Sequence, residues 1–199
     1  MNRRVAVKNN LYEKRNDLDY FIENYLDDKI YIAEYDENST AYLLKSIDFE
    51  TKICNIEIRK GQEKVVETIF FDDNKIFTIY NSDEIYFIPL DGKGLLKSNC
   101  CDFVFFNEQN FCFVEMKLNA TSIDERTIDD NRKKAIKQLK NTIEHFDTQF
   151  SIDYAGLLLE AYIATPDFYP KVSALSSDIR VNFLEETRIE LFEGREKKY

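Results

Sequence analysis

This chain of 199 residues is short of several residue types, and each scarcity excludes a class of function. It has one histidine, His145, which excludes metal sites built on histidine pairs and any chemistry that needs two histidines. A serine or cysteine nucleophile would have to recruit that residue as its base. The five glycines form no phosphate-binding loop or dinucleotide fingerprint, and Gly-x-Ser-x-Gly does not occur. We therefore expect His145 to be a surface or partly buried helix residue and not a catalyst.

Cysteines are also few, and they do not form a metal-binding pattern. The four residues are Cys54, Cys100, Cys101 and Cys112. They have neither the paired spacing of a zinc site nor the density of a secreted disulfide scaffold. Three of them are close in sequence, but neighbouring residues of a strand point to opposite faces, so a three-thiolate site is not expected. We predict reduced, mostly buried cysteines.

Long apolar runs are missing as well. No run of about 18 apolar residues occurs, and the N-terminus has no apolar segment typical of a signal peptide. These absences predict a cytoplasmic protein without a membrane partner. The chain does contain 44% hydrophobic and 14% aromatic residues, which is enough to bury a substantial core.

Three charged residues, Asp102, Glu115 and Lys117, lie inside the most apolar stretch of the sequence, residues 101–118. An ionised side chain on a buried strand costs several kcal/mol unless it is paired or bound to an ion. The sequence contains the acidic-x-Lys pattern six times, but only the copy at Glu115 lies in an apolar run that contains a second carboxylate. These charges are therefore expected to have a structural or functional purpose.

The apolar stretch predicts a β-hairpin with a defined register. A connection over residues 107–110 places Asp102 directly opposite Glu115. Side chains alternate along a strand, so Lys117 shares the face of both carboxylates, whereas Cys101 points to the other face. Because both faces are otherwise apolar, we predict a central strand pair that is covered on both sides.

Two opposed carboxylates predict a cation site. They would lie roughly 5 Å apart and repel each other, and a divalent cation between them would turn that repulsion into attraction. Mg²⁺ takes oxygen ligands from one or two carboxylates and water, and Mn²⁺ is expected to substitute for it. The ammonium of Lys117 could orient a water molecule or stabilise a developing oxyanion. The alternative is a structural ion pair, in which Lys117 neutralises Asp102 or Glu115 near a sheet end.

An aspartate followed by a strand that carries Glu-x-Lys resembles the active-site pattern of the PD-(D/E)XK superfamily of restriction-endonuclease-like phosphodiesterases. The resemblance covers about residues 94–146, and the matching residues are Asp102, Glu115, Lys117 and Gln138. It implies that the two acids hold Mg²⁺, that the lysine assists the attacking water, and that the glutamine comes from the following helix. Cys101 stands where the family usually has proline. A further family acid, from an upstream helix, would correspond to Glu23.

A long amphipathic helix should follow the second hairpin strand. Its apolar residues recur at helical intervals, at Ile128, Ala135, Leu139, Ile143 and Phe146. The same segment has five basic residues and no acid between its first and last cation: Arg132, Lys133, Lys134, Lys137 and Lys140. Beside a metal site, such a strip is what a phosphate backbone requires. The alternative is an ordinary solvated helix face.

The rest of the sequence predicts a second, β-rich region. A helix is predicted over residues 11–26, with its start near Asn9 or Asn10, and six short β-branched or aromatic runs between residues 29 and 90 predict an antiparallel meander. The Asp-Gly-Lys-Gly sequence that follows predicts a boundary. We therefore divide the chain into an N-terminal extension, residues 1–90, and a nuclease-like core, residues 91–199, which could also form one compact domain.

The C-terminal part completes the predicted fold. Residues 154–164 predict a buried strand that a right-handed crossover would place parallel to the hairpin, and residues 181–192 predict one more strand or hairpin. The expected fold is α/β, with a restriction-endonuclease-like mixed central sheet, flanking helices and a β-rich N-terminal meander.

These expectations describe a Mg²⁺-dependent phosphodiesterase, a DNA nuclease of a prokaryotic restriction or defence system. The net charge of −10 repels nucleic acid as a whole, although salt screens charges beyond about 10 Å. A protein partner or a homo-oligomer is therefore expected to supply much of the binding surface. The alternative is a catalytically inactive protein of the same fold that acts as an acidic binding partner or a nucleic-acid mimic.

Overall fold

The computed structural model describes residues 2–35, 39–61, 63–81, 83–92, 94–96, 99–169 and 174–198. Over these ranges the chain is a mixed α/β protein with three α-helices and two mixed six-stranded β-sheets. The helices are α1 (Arg3–Lys14), α2 (Glu125–His145) and α3 (Ala174–Thr187). In chain order, the strands are β1 (Glu23–Tyr25), β2 (Lys29–Tyr35), β3 (Thr40–Asp48), β4 (Ile53–Lys60), β5 (Glu63–Phe70), β6 (Ile76–Tyr80), β7 (Ile85–Pro89), β8 (Phe103–Phe106), β9 (Asn110–Met116), β10 (Leu158–Ala164), β11 (Glu190–Glu193) and β12 (Glu196–Lys197).

Sheet one has the strand order β1-β7-β8-β9-β10-β11. β8 and β9 form the predicted antiparallel hairpin, and its register is confirmed because Phe103 pairs with Val114. Asn107 stabilises the turn, since its side-chain oxygen accepts a hydrogen bond from the N–H of Asn110 at 2.9 Å. β10 lies parallel to β9, as predicted for this part of the chain. β9 is therefore an interior strand, and all of its residues are buried.

Sheet two has the strand order β12-β6-β2-β3-β4-β5. β2 to β5 are consecutive antiparallel neighbours, which confirms the meander over these strands. β6 instead returns to the other side of β2, and β7 leaves for sheet one. Each sheet therefore contains strands from both regions of the chain. In sheet one, β1 and β7 come from residues 1–90, and in sheet two, β12 comes from residues 91–199 and pairs with β6.

Sheet one is the middle layer of the protein, with helices on one face and sheet two on the other. On the helix side, the buried side chains include Val104, Phe111, Leu11, Leu139 and Phe183. Between the sheets, they include Phe103, Val114, Ile32 and Phe77. The hairpin is thus covered on both sides, as its apolar faces predicted. The four cysteines are free and buried, also as expected.

The N-terminal helix lies earlier in the chain than the prediction for residues 11–26. α1 ends at Lys14, and the predicted range continues into a short 3-10 turn and β1. Asn2 caps the helix, because its side-chain oxygen accepts a hydrogen bond from the N–H of Val5 at 2.9 Å. Leu18 is buried but lies in the 3-10 turn. The apolar residues had helix-like spacing because α1 and the 3-10 turn both bury side chains in the helix-side core.

The prediction of a strand or hairpin over residues 181–192 is wrong for residues 181–187 and confirmed for residues 190–192. This range contains the C-terminal half of α3 followed by β11. Arg188 has a positive φ of 62°, the backbone conformation that commonly ends a helix. Phe183, Ile189 and Leu191 are all buried in the helix-side core. The apolar pattern is continuous because two short elements bury their side chains in the same cluster.

Candidate metal centre

Asp102 lies immediately before β8 and is held by main-chain contacts on two sides. Its carbonyl oxygen accepts a hydrogen bond from the N–H of Leu90 at 2.7 Å. Its carboxylate oxygen Oδ2 accepts one from the N–H of Met116 at 2.5 Å. Extending the hairpin register by one residue places Asp102 opposite Glu115. The position of this carboxylate is therefore fixed by the sheet.

Glu115 is the most deeply buried of the predicted site residues, with 1% of its surface exposed. It lies near the C-terminal end of β9 and shares by alternation the helix-side face of Phe113. Its Oε1 forms an ion pair with Nζ of Lys117. Its Oε2 is buried and has no hydrogen-bond partner. One oxygen of this carboxylate is thus satisfied within the protein and the other is not.

Gln138 connects α2 to this pair of charges. Its Oε1 accepts a long hydrogen bond from Nζ of Lys117, at 3.5 Å, and its Nε2 donates to the carbonyl of Cys100 at 3.0 Å. A single amide therefore contacts both the lysine and the segment that leads into Asp102. The structure brings the four predicted catalytic residues together at one end of the hairpin.

Cys101 lies on the opposite face from the one predicted. It belongs to the helix-side core and not to the cluster between the sheets. The residue precedes β8, so the two-residue alternation of the strand does not extend to it. Its N–H donates to the hydroxyl of Thr142 at 2.7 Å, and that hydroxyl donates to the carbonyl of Gln138 at 2.8 Å. These bonds tie the segment before Asp102 to α2.

The electrostatics of the site are dominated by burial, and the neighbouring carboxyl groups add to its effect on Glu115. Burial raises the pKa of Asp102 to about 6. Burial, followed by the negative charge of Asp102, raises the pKa of Glu115 well above its usual range. Burial alone would lower the pKa of Lys117, but the neighbouring carboxylates outweigh it and the pKa is raised. The ammonium is therefore held in its charged form while the acids resist ionisation.

A third acid, Glu34 at the end of β2, belongs to the same electrostatic cluster. Burial and the charge of Asp102 raise its pKa to about 7, and its carboxylate accepts a hydrogen bond from Asn119 at 2.7 Å. Glu34 is not among the residues predicted from the sequence, although it too is an acid inside a mostly apolar run, residues 30–35. Glu23, the predicted upstream acid, instead lies in β1 and pairs with Lys45 at 3.0 Å.

The five basic residues of α2 fall into two groups. Arg132 is buried and pairs with Glu193 at 2.7 Å, and Lys140 pairs with Glu186 at 2.6 Å. The other three are exposed and make no ion pair with any other described residue: Lys133, Lys134 and Lys137. Three of these five basic residues therefore have no ion-pair partner among the described residues. His145, at the end of the same helix, is partly buried against Phe150, as expected.

Among the described residues, no group of three or more His, Cys, Asp or Glu side chains is arranged to hold a metal ion. In the same part of the chain, no helix combines the length and apolar character needed to cross a membrane. Comparisons with protein-family models, curated proteins and solved structures gave no match for this chain. The resemblance to the PD-(D/E)XK superfamily therefore stays a prediction.

Proposed function

We propose that this chain is a Mg²⁺-dependent phosphodiesterase, a DNA nuclease of the kind used in prokaryotic restriction or defence systems. The observation that carries the proposal is the carboxylate of Glu115, whose Oε2 is buried without a hydrogen-bond partner. A buried polar atom in that state is costly unless a ligand satisfies it. The fixed carboxylate of Asp102 and the ammonium of Lys117 give this position the chemistry of phosphodiester hydrolysis.

The donor set fits a hard divalent cation. The two hairpin carboxylates offer oxygen ligands, and together with Glu34 they oppose one ammonium group. Additional positive charge would relieve the repulsion among these acids. Asp102 and Glu115 would hold Mg²⁺, or Mn²⁺ in its place, and the bound ion supplies a Lewis acid and a more acidic water. Water would complete the coordination, because Mg²⁺ commonly retains several water ligands.

Lys117 is the residue that would act on the reacting phosphate and water. Its raised pKa keeps the ammonium protonated at neutral pH, so it donates hydrogen bonds and does not act as a base. A fixed donor of this kind can orient the attacking water or stabilise charge that develops on the phosphate. Gln138 is a positioning residue, because it contacts Lys117 and the main chain before Asp102.

The exposed lysines of α2 would contact the DNA backbone. Three unpaired cations on one helix create a local positive field, which acts within the Debye length of about 10 Å. The whole chain carries a net charge of −10, which opposes binding at longer range. Weak affinity of the isolated chain for DNA, raised by a protein partner or a second copy, is consistent with both facts.

Cleavage of DNA by the purified full chain tests this function. Glu115→Gln and Lys117→Ala should each lower the Mg²⁺-dependent rate by about 100-fold or more, with circular dichroism unchanged. Glu196→Gln and Lys198→Ala are matched controls, because they form a surface Glu-x-Lys pair at 2.9 Å with the same spacing. Both controls should cleave like the wild type. Equal cleavage by the wild type and both hairpin variants would refute the proposal.

The net charge of −10 favours one alternative function. A catalytically inactive protein of this fold could act as an acidic partner or a nucleic-acid mimic, and the ion pair between Glu115 and Lys117 would then be structural. Calorimetric titration with Mn²⁺ separates the two functions. Binding that disappears in Asp102→Asn supports the metal-dependent enzyme, whereas a folded wild type that binds no Mn²⁺ supports the acidic partner.

A further inference from the structure

A cavity of about 410 Å³ lies at the end of the sheets where the candidate metal centre is found. Its wall includes Leu118, which directly follows Lys117, and Lys75, which directly precedes β6. β2 and β6 are antiparallel and pair Ala33 with Ile76, so the start of β6 lies beside the end of β2 that carries Glu34. The cavity and the candidate metal centre are therefore separated by the chain segment that follows β9.

The inner wall of the cavity is apolar and includes one exposed aromatic ring. Leu118 and Pro166 are buried, and Phe168 is 54% exposed. The ring of Phe168 makes a T-shaped contact with the ring of Tyr169, with ring centroids 5.5 Å apart. An aromatic side chain more than half exposed at a cavity is suited to stacking against a flat ligand.

The rim of the cavity is polar, and its charged residues differ in whether they form ion pairs or hydrogen bonds. Arg195 is held by an ion pair with Asp167 at 2.8 Å and by a hydrogen bond to the carbonyl of Asp73 at 2.9 Å. The carboxylate of Asp72 accepts a hydrogen bond from the N–H of Asn74 at 2.9 Å. Lys75 is exposed and makes no ion pair with any other described residue. Among the described residues, the rim thus has one cation, Lys75, and one acid, Asp72, outside its ion pair.

We propose that this cavity binds one unpaired nucleotide of the DNA strand beside the phosphate that is cleaved, with its base stacked on Phe168 and a phosphate near Lys75. The inference rests on the proposed function and names its substrate class. The volume lies within the range of about 300–1,000 Å³ that is usual for small-molecule sites. Leu118 directly follows Lys117, so the wall of the cavity begins at the residue next to the lysine of the candidate metal centre.

The occupancy of the cavity determines the form of the substrate. A base stacked inside a cavity cannot at the same time be paired and stacked within a duplex. The substrate is therefore single-stranded DNA, or a duplex with an unpaired end, and not a continuous duplex. A paired duplex would have to release one nucleotide before it could occupy both the cavity and the metal centre.

Binding measurements on a non-cleaving variant test the cavity separately from catalysis. In a Glu115→Gln background without metal at low salt, fluorescence anisotropy with a labelled 12-nucleotide single strand gives the affinity. Phe168→Ala should weaken binding about tenfold or more, while Phe168→Tyr should retain it because the ring is preserved. Phe70→Ala is the matched control, since Phe70 is 77% exposed on β5 at the far edge of sheet two. That control should leave the affinity unchanged.

A closed duplex without free ends, labelled in the same way, completes the experiment. Weaker binding of this duplex, insensitive to Phe168→Ala, supports the proposal. Equal affinity of the Phe168→Ala variant and its parent for the single strand overturns it, as does tighter binding of the closed duplex. If wild-type cleavage depends on Glu115 but not on Phe168, the cavity inference fails and the nuclease stands. If binding depends on Phe168 but the wild type cleaves nothing, the cavity stands and the nuclease fails.

Discussion

Replacing Asp102 with asparagine should stabilise the metal-free protein at neutral and alkaline pH. Asp102 is 6% exposed, and this burial raises its pKa, so its ionised form is disfavoured in the folded state. Asparagine has nearly the same shape, and its side-chain oxygen can still accept the hydrogen bond from Met116. If Asp102 served only to balance Lys117, the same change would instead destabilise the protein. The two explanations of the buried charges therefore predict opposite signs for the change in the free energy of unfolding.

The magnitude follows from the shift in pKa. The usual pKa of 3.8 becomes about 6 in the folded protein, a difference of about two units or about 3 kcal/mol. Between these values the folded protein keeps a proton that the unfolded chain has released, so the free energy of unfolding falls as the pH rises. Above pH 6 the whole penalty is present, and below about pH 4 it is absent. We therefore expect Asp102→Asn to gain about 1–3 kcal/mol at pH 8 and little at pH 4.

Urea unfolding in EDTA at pH 4 and pH 8 measures this difference. Asp17→Asn is the control, because Asp17 is an exposed acid whose pKa is lowered by its hydrogen bond to Arg15, and its loss should bring no gain at pH 8. Added Mn²⁺ should then stabilise the wild type through binding to the folded state and leave Asp102→Asn unaffected. A wild type that is more stable than Asp102→Asn at pH 8 in EDTA would refute the electrostatic reasoning.

Two further predictions concern residues around the site and the core. Lys197→Met should lower the free energy of unfolding by about 3–5 kcal/mol, because it leaves buried Glu160 without the ammonium that lies 2.5 Å away. The neighbouring change Lys198→Met, at an exposed position, should stay within about 0.5 kcal/mol, and similar losses in both variants would contradict a buried pair. Gln138→Ala should slow cleavage about tenfold and leave the Mn²⁺ affinity measured by calorimetry unchanged, because Gln138 contacts Lys117 and neither carboxylate. A matching loss of Mn²⁺ affinity would contradict a positioning role.

The hairpin could be predicted from the sequence because its determinants are local. The position of the polar turn between two apolar runs is sufficient to specify the register, and the turn hydrogen bond of Asn107 agrees with it. The register then placed Asp102 opposite Glu115 without any knowledge of the other strands. Cys101 was assigned to the wrong face because its orientation depends on a hydrogen bond to Thr142, a residue on a distant helix.

The features that could not be predicted depend on contacts between distant segments. Glu34 joins the acidic cluster only because sheet two packs on sheet one, and the spacing of residues along the chain carries no signal for that packing. Arg132 looked like a surface cation, but Glu193 of β11 pairs with it and the side chain is buried. Residues 181–192 were ambiguous because a helix and a strand bury their apolar side chains in one core.

The N-terminal region contributes to the candidate site as well as to the fold. β1 and β7 are strands of sheet one, and β7 pairs directly with β8, so residues 91–199 alone lack two strands of the sheet that holds the hairpin. Leu90 donates a hydrogen bond to the main chain of Asp102, and Glu34 adds its charge to the acidic cluster. Lys75 extends this contribution to the cavity beside the site. Residues 91–199 without residues 1–90 would therefore keep every predicted catalytic residue but lose this structural support for Asp102.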